Sequence, residues 1–235
     1  MINKTKRLMV PRTVKIPRKT YFWGPTPLPG RHKADHSVTL LTIIRDYLRL
    51  SDKEREATRI LANGLVKVDG KVVKERKFGV GFMDVIEISG ESYRVVYNNQ
   101  GALVLVSESK DRANMKPLQV KNKVIAPGNK IQLGFHDGRV MVTEDRSISV
   151  GDVVIASLPD MKITEIIKMQ PGNKAFITGG SHVGETGTIS KIEIKESSSA
   201  NLVHFDEGFT TVKDHVFVIG SPRFTFTMPS GEVYP

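Results

Sequence analysis

The sequence predicts an α+β, multidomain chain on three observations: a cationic, proline-broken N-terminal arm, two helix-period segments followed by a tight hairpin, and a long remainder of short strands separated by glycine turns. The first 33 of 235 residues carry nine Lys or Arg (Lys4, Lys6, Arg7, Arg12, Lys15, Arg18, Lys19, Arg31 and Lys33) and no acid. The other 26 basic residues meet 25 acidic ones, so the formal charge of +10 resides almost wholly in this arm. Pro11, Pro17, Pro25, Pro27 and Pro29 interrupt it, and no apolar period of 2 or 3.6 survives between them. Such a segment is expected to lack fixed structure alone and to order along a polyanion, where each neutralised phosphate releases counterions. Nucleic acid is the partner class that this charge pattern favours.

Composition argues against several other classes. No run approaches the roughly 18 apolar residues of a membrane span, and no apolar stretch follows the basic N-terminus, so an intracellular, soluble protein without a membrane partner is expected. With no cysteine there is no disulfide framework and no thiolate zinc site. The six histidines (His32, His36, His136, His182, His204, His215) show no close paired spacing, so neither a metal nor a cofactor is expected.

Residues 38–50 have Leu40, Ile43, Tyr47 and Leu50 at helical spacing with no Gly or Pro, which predicts a helix. A second helix follows. Ser51 to Glu54 fits a capping box, Ala57, Ile60 and Leu61 form an apolar stripe, and Asn63-Gly64 is a stop. Arg55 and Arg59 fall opposite that stripe, one turn apart; RNA contact and plain solvation account for them equally well. Two short apolar strands around Asp69-Gly70 then predict a hairpin, and 85–88 another strand.

From Arg94 onward the chain reads as strands at 94–97, 102–106, 130–133, 139–142 and 153–156, a pattern that suggests a small barrel or sandwich. His136-Asp137-Gly138-Arg139 resembles a catalytic His/Asp pair, but Asp-Gly is first a turn signal. Further strands are expected at 174–178, 188–195, 202–205 and 210–218. Between the first two lies a glycine-dense loop containing Gly180, His182, Gly184 and Gly187. It returns to a strand rather than opening a helix, which disfavours a nucleotide-phosphate loop. No nucleophile or partner acid is placed to make His182 catalytic, and the glycines are explained equally well by the turn itself.

Residues 38–90 resemble the αL (S4-type) RNA-binding motif, in which the outer helix face and the start of the hairpin meet RNA phosphates. The resemblance implies Lys53, Arg55, Arg59, Lys67 and Lys71 as contacts. The glycine loop and its strands resemble the KOW motif of small SH3-like barrels, whose loop approaches RNA backbone; this implies Gly180, His182 and Gly184. The expected divisions are an arm at 1–37, the S4-type unit at 38–90, a central β-domain at 91–168, the KOW/SH3-like barrel at 169–220 and a tail at 221–235.

That order of parts is similar to the small-subunit ribosomal protein S4e family. Lys6-Arg7-Leu8 with Pro11, then Pro27, Pro29-Gly30 and His32-Lys33, match the family's opening; Val96-Tyr97, His136 to Arg139 and Ile177 to Gly180 add matches further on. The family usually has a His before its basic pair and a Trp after its proline, where this chain offers Asn3, Lys4 and Val14; Tyr21, Phe22 and Trp23 supply aromatic surface instead. The resemblance implies a non-enzymatic component of the ribosome in the cytoplasm, archaeal in type. Its partners would be 16S-type ribosomal RNA and neighbouring ribosomal proteins, with no small-molecule substrate, and the arm cations and His32 would lie on RNA. The alternatives are a transcription elongation or ribosome-assembly factor, suggested by the KOW-like loop, and an RNA-modifying enzyme, suggested by the αL motif.

Overall fold

The structure is a computed structural model that describes residues 4–220, so the tail at 221–235 lies outside the described residues. In chain order the strands and α-helices are β1 (Lys4–Lys6), β2 (Trp23–Pro25), β3 (Ser37–Thr39), α1 (Leu40–Thr42), α2 (Glu54–Ala62), β4 (Val66–Val68), β5 (Lys71–Val72), β6 (Gly79–Gly81), β7 (Val85–Ile88), β8 (Glu91–Tyr97), β9 (Leu103–Glu108) and α3 (Lys110–Ala113). There follow β10 (Met115–Ala126), β11 (Lys130–Phe135), β12 (Val140–Thr143), β13 (Val153–Ser157), β14 (Lys162–Ile167), β15 (Lys174–Ile177), β16 (Thr186–Glu193), β17 (Leu202–Phe205), β18 (Thr210–Val212) and β19 (Val216–Gly220). The chain is thus mostly β with few helices.

Three five-stranded antiparallel sheets carry the architecture, in the orders β5-β4-β7-β8-β9, β12-β11-β10-β13-β14 and β18-β17-β16-β15-β19. In the first, Asp69 and Gly70 take φ of 51° and 75°, the twist a two-residue hairpin turn requires, and seat Lys67 opposite Val72. The expected boundary at residue 90 falls inside a hairpin, because Ile88 pairs with Glu91 and the sheet continues to Glu108. The alternating apolar residues of these strands and α2 form one buried cluster with Val10 and Val14 of the arm and with Ala175, Phe176 and Phe217 of the third sheet. The middle sheet has its own core around Leu118, Leu133, Phe135 and Val154.

The arm departs from expectation. Instead of lacking fixed structure, it lies against the fold: Lys4 pairs with Pro25 and Lys6 with Trp23, and Val14 bridges to Leu103. The reason is that its few apolar residues find burial outside the arm. Val10 and Val14 enter the main core, which a search for local periodicity cannot see.

The helix expected at 38–50 is also modified. Val38 is drawn into a strand opposite Val80, Thr39 Oγ1 accepts the Thr42 amide at 3.3 Å, and a wide π-turn occupies Ile43–Tyr47. Leu40, Ile43 and Tyr47 are buried as their spacing implies, whereas Leu50 is half exposed. The second helix begins at Glu54, and Glu56 rather than Glu54 reaches back to accept the Asp52 and Lys53 amides at 3.0 and 3.1 Å. The strand expected over 210–218 is broken by a 3-10 turn at Lys213–His215.

Candidate nucleic-acid interface

The cations named from sequence divide into an inward and an outward set. Arg7 is 1% exposed; its Nε donates to the Pro17 carbonyl at 2.7 Å and its guanidinium to Asp46 at 3.0 Å. Arg18 donates to the carbonyls of Leu8, Val10 and Pro11, so it holds the arm's own bend. Arg31 donates to Asp69 at 2.7 Å and His32 Nε2 lies 2.9 Å from Asp84. Arg7 and His32 are therefore corrected from RNA contacts to interior ties, and Arg31 and Arg18 have their donors turned to protein acceptors. A short, acid-free arm next to a body with buried carboxylates neutralises those carboxylates first.

The carboxylates form a centre that sequence reading missed. The Lys116 ammonium, fully buried, meets Asp69 at 2.9 Å, Asp137 at 3.1 Å and Asp84 more closely still. Arg139 pairs with both Asp69 and Asp137, so three cations (Lys116, Arg31, Arg139) balance three carboxylates. Burial alone would lower Lys116, yet Asp84, Asp69 and Asp137 hold it above its ordinary value. Burial likewise opposes ionisation of Asp84 and Asp137, but Lys116 with His32 and Arg31 holds Asp84 well below the usual carboxylate range, and Lys116 with His136 lowers Asp137. The group joins the arm (Arg31, His32), the first sheet (Asp69, Asp84) and the middle sheet (Lys116, Asp137, Arg139).

His136 beside it is not a proton-transfer group. Its Nδ1 accepts the Gln119 amide at 3.2 Å and its Nε2 donates to the Phe82 carbonyl at 3.3 Å, which fixes the neutral tautomer. Burial pushes its pKa down to about 4. Asp137-Gly138 is a turn, as its dipeptide signal implied, with the Gly138 amide donating to the Phe135 carbonyl. Among the described residues no group of three or more His, Asp or Glu is placed to hold a metal ion, and no helix is long and apolar enough to cross a membrane.

The outward set comprises Lys6, Arg12, Lys19 and Lys33 on the arm, Lys53 just before α2, Arg55 and Arg59 on α2, and Lys67 and Lys71 on the hairpin. Lys15 is half-buried, and its amide donates to the Tyr47 hydroxyl at 3.0 Å. The backbone of Lys4 runs opposite Pro25. Ala57 and Leu61 fix the buried face of α2 and leave Arg55 and Arg59 facing solvent, while Lys67 alternates outward between buried Val66 and Val68, 3.3 Å from Glu87. The first sheet, α2 and the residue capping it thus hold these five cations at the surface.

The glycine loop is only partly exposed. A Cβ on Gly184 would lie 2.6 Å from the Asn98 carbonyl carbon, so the loop is seated against the turn after β8. Gly180 is open to solvent. His182 stacks on Phe209 with centroids 4.5 Å apart and has Glu185 at 3.0 Å from Nδ1. Gly184 serves the packing of two sheets, which leaves Gly180 and one face of His182 available outward.

Comparison with known proteins agrees with these features. A family model described as "Ribosomal family S4e" matches residues 89–163, and one described as "S4 domain" matches residues 47–86. Small ribosomal subunit protein eS4 of Thermoplasma acidophilum is 75% identical over 235 residues, covering all of both chains. That of Picrophilus torridus is 54% identical over 229 residues, covering 97% of this chain and 98% of the relative. The crystal structure of the 30S ribosomal protein S4e from Thermoplasma acidophilum superposes with a TM-score of 0.75, covering 82% of this chain and all of that one. A cationic arm, an S4 domain with its basic face outward and a β-rich remainder all fit that likeness: the chain belongs to the small ribosomal subunit protein eS4 family.

Proposed function

We propose that the chain holds 16S-type ribosomal RNA of the small subunit through phosphate contacts made by its outward cations, and touches neighbouring ribosomal proteins with its remaining surface. As an eS4-family member it is a structural, non-enzymatic constituent of the small subunit, which supports a location on ribosomes in the cytoplasm. The observation that carries the RNA reading is the outward display of Lys53, Arg55, Arg59, Lys67 and Lys71 by α2, the residue before it and the hairpin that follows, with Lys6, Arg12, Lys19 and Lys33 extending the cationic surface along the arm and half-buried Lys15 beside them. Lys4 belongs with them by sequence. Arg7, Arg18, Arg31 and His32 support the interface from within. The third sheet, with five antiparallel strands and a glycine loop, supports a KOW-type, SH3-like barrel, in which Gly180 and His182 offer backbone and ring to RNA.

The interaction with RNA is electrostatic and multivalent, so it should be salt-sensitive for free RNA and slow to reverse in an assembled particle. Sedimentation of particles at moderate and high salt, with mass spectrometry of each fraction, tests this. One copy per small subunit, retained at high salt, is expected. Substoichiometric protein lost at moderate salt would point instead to an assembly or elongation factor.

A further inference from the structure

Three consecutive aromatic rings on the arm remain largely outside the core. Tyr21, Phe22 and Trp23 are 62, 65 and 50% exposed. They are held in place nonetheless: Trp23 sits opposite Lys6 in the β1–β2 pair, the Phe22 carbonyl accepts the Arg7 amide at 2.9 Å, and the Phe22 and Trp23 rings meet edge to face at 4.8 Å. Cations attend them. The Lys6 ammonium lies 5.7 Å from the Phe22 centroid, and the Arg45 guanidinium 5.8 Å from that of Tyr21. The neighbouring carboxylate, Asp46, is already paired with Arg7 and Arg45.

We propose that Tyr21, Phe22 and Trp23 form a stacking platform for unpaired nucleobases of the ribosomal RNA. The proposal rests on the RNA reading above and adds a place where bases rather than phosphates are held. Aromatic faces stack on any base, and the exposed Lys6 ammonium beside Phe22 meets a flanking phosphate. The absence of acids through residue 33 makes the surroundings complementary to a polyanion. In A-form duplex the bases are closed off by their own stacking, so the ligand is a loop, bulge or strand end. Leu8 and Met9, also exposed, make a protein neighbour the competing occupant.

Trp23 is the only tryptophan of the chain, so its fluorescence reports this patch alone. The full chain should be titrated with single-stranded oligouridylate and with an RNA duplex of equal length at the same salt. The single strand is expected to quench Trp23, and the duplex to bind while leaving the emission little changed. Tyr21→Leu and Phe22→Leu keep apolar area but remove the π-face; each should weaken single-strand binding roughly fivefold or more without altering duplex binding or the melting temperature. If both RNAs bind but neither quenches Trp23 and the leucine variants bind as the parent does, the platform is overturned and the rings belong to a protein neighbour, while the phosphate reading stands. If neither RNA binds, both readings fall.

Discussion

The ammonium of Lys116 lies 2.9 Å from Oδ2 of Asp69, and neither side chain reaches solvent. Asp69 belongs to the hairpin turn of the first sheet and Lys116 to the long strand of the second, so the pair ties together elements 47 residues apart in sequence. A buried ion pair is weak evidence of net stabilisation against an apolar replacement of the whole group, but removal of one partner alone strands the other charges.

Lys116→Met should therefore destabilise the fold by roughly 3–5 kcal/mol, because Asp69 and Asp137 would keep only Arg31 and Arg139, and Asp84 only His32. The measurement is urea unfolding followed by far-UV circular dichroism. A shift of the midpoint worth less than about 1 kcal/mol would contradict the role of Lys116 as the charge centre.

Stability should fall as pH drops from about 6.5 toward 4. His136 takes a proton near 6.5 when unfolded but only near 4 when folded, so the unfolded state binds more protons across that window. Asp84 and Asp137, lowered in the fold, contribute stability that is present above the unfolded carboxylate value and lost as pH falls through their folded values. His136→Gln should flatten the upper part of the acid limb whatever its effect at neutral pH. An unchanged slope between 6.5 and 4 would show that the imidazole titrates freely.

Gly184 and Gly180 should respond differently to alanine. Both have positive φ, 85° and 90°, but a Cβ at Gly184 would meet Asn98 backbone at 2.6 Å, whereas at Gly180 the nearest atom is Thr211 Oγ1 at 3.7 Å. Gly180→Ala should lose about 1–2 kcal/mol from backbone strain, and Gly184→Ala about 1–3 kcal/mol more from the clash. Thermal melts of the two variants decide this; equal losses would mean that the loop is not seated on the Asn98 turn.

Arginines of opposite orientation should separate binding from stability. Arg55→Ala with Arg59→Ala should leave unfolding within about 0.5 kcal/mol of the parent and reduce the slope of log K against log salt by roughly one unit for each phosphate no longer neutralised. Arg7→Ala should lower stability by about 1–3 kcal/mol and leave that slope unchanged. Filter binding at several salt concentrations checks both, and the opposite pattern would reverse their assignment.

The first sheet and α2 were legible in the sequence because their signals are local: Asp69-Gly70 specifies its own turn, and Ala57 and Leu61 recur at helical spacing on a short amphipathic segment. The alternation in Lys162–Ile167 is likewise a local strand signal. β10 was hidden by Lys116 and Pro117, residues that ordinarily argue against a central strand but here sit where carboxylates from elsewhere meet the lysine. Arg7, Arg31 and His32 could not be assigned for the same reason: their partners Asp46, Asp69 and Asp84 lie 38 to 52 residues away, and a run of cations does not reveal which will be consumed inside. The Lys116 group was invisible to pattern reading, since its members share no spacing.

The seating of the arm sets an order of events during synthesis. The Leu103 amide donates to the Thr13 carbonyl at 2.7 Å, and Val14 is covered beside Leu103, so the arm lacks its closing surface until β9 has been made. At about 5–20 residues per second that interval lasts roughly 5–20 s. Nascent chains halted before residue 103 should lose the arm to brief trypsin treatment faster than chains halted well beyond it, and equal rates would contradict the dependence. The arm thus stays open until the first sheet is complete, and through that interval the growing chain carries an unclosed, acid-free cationic segment.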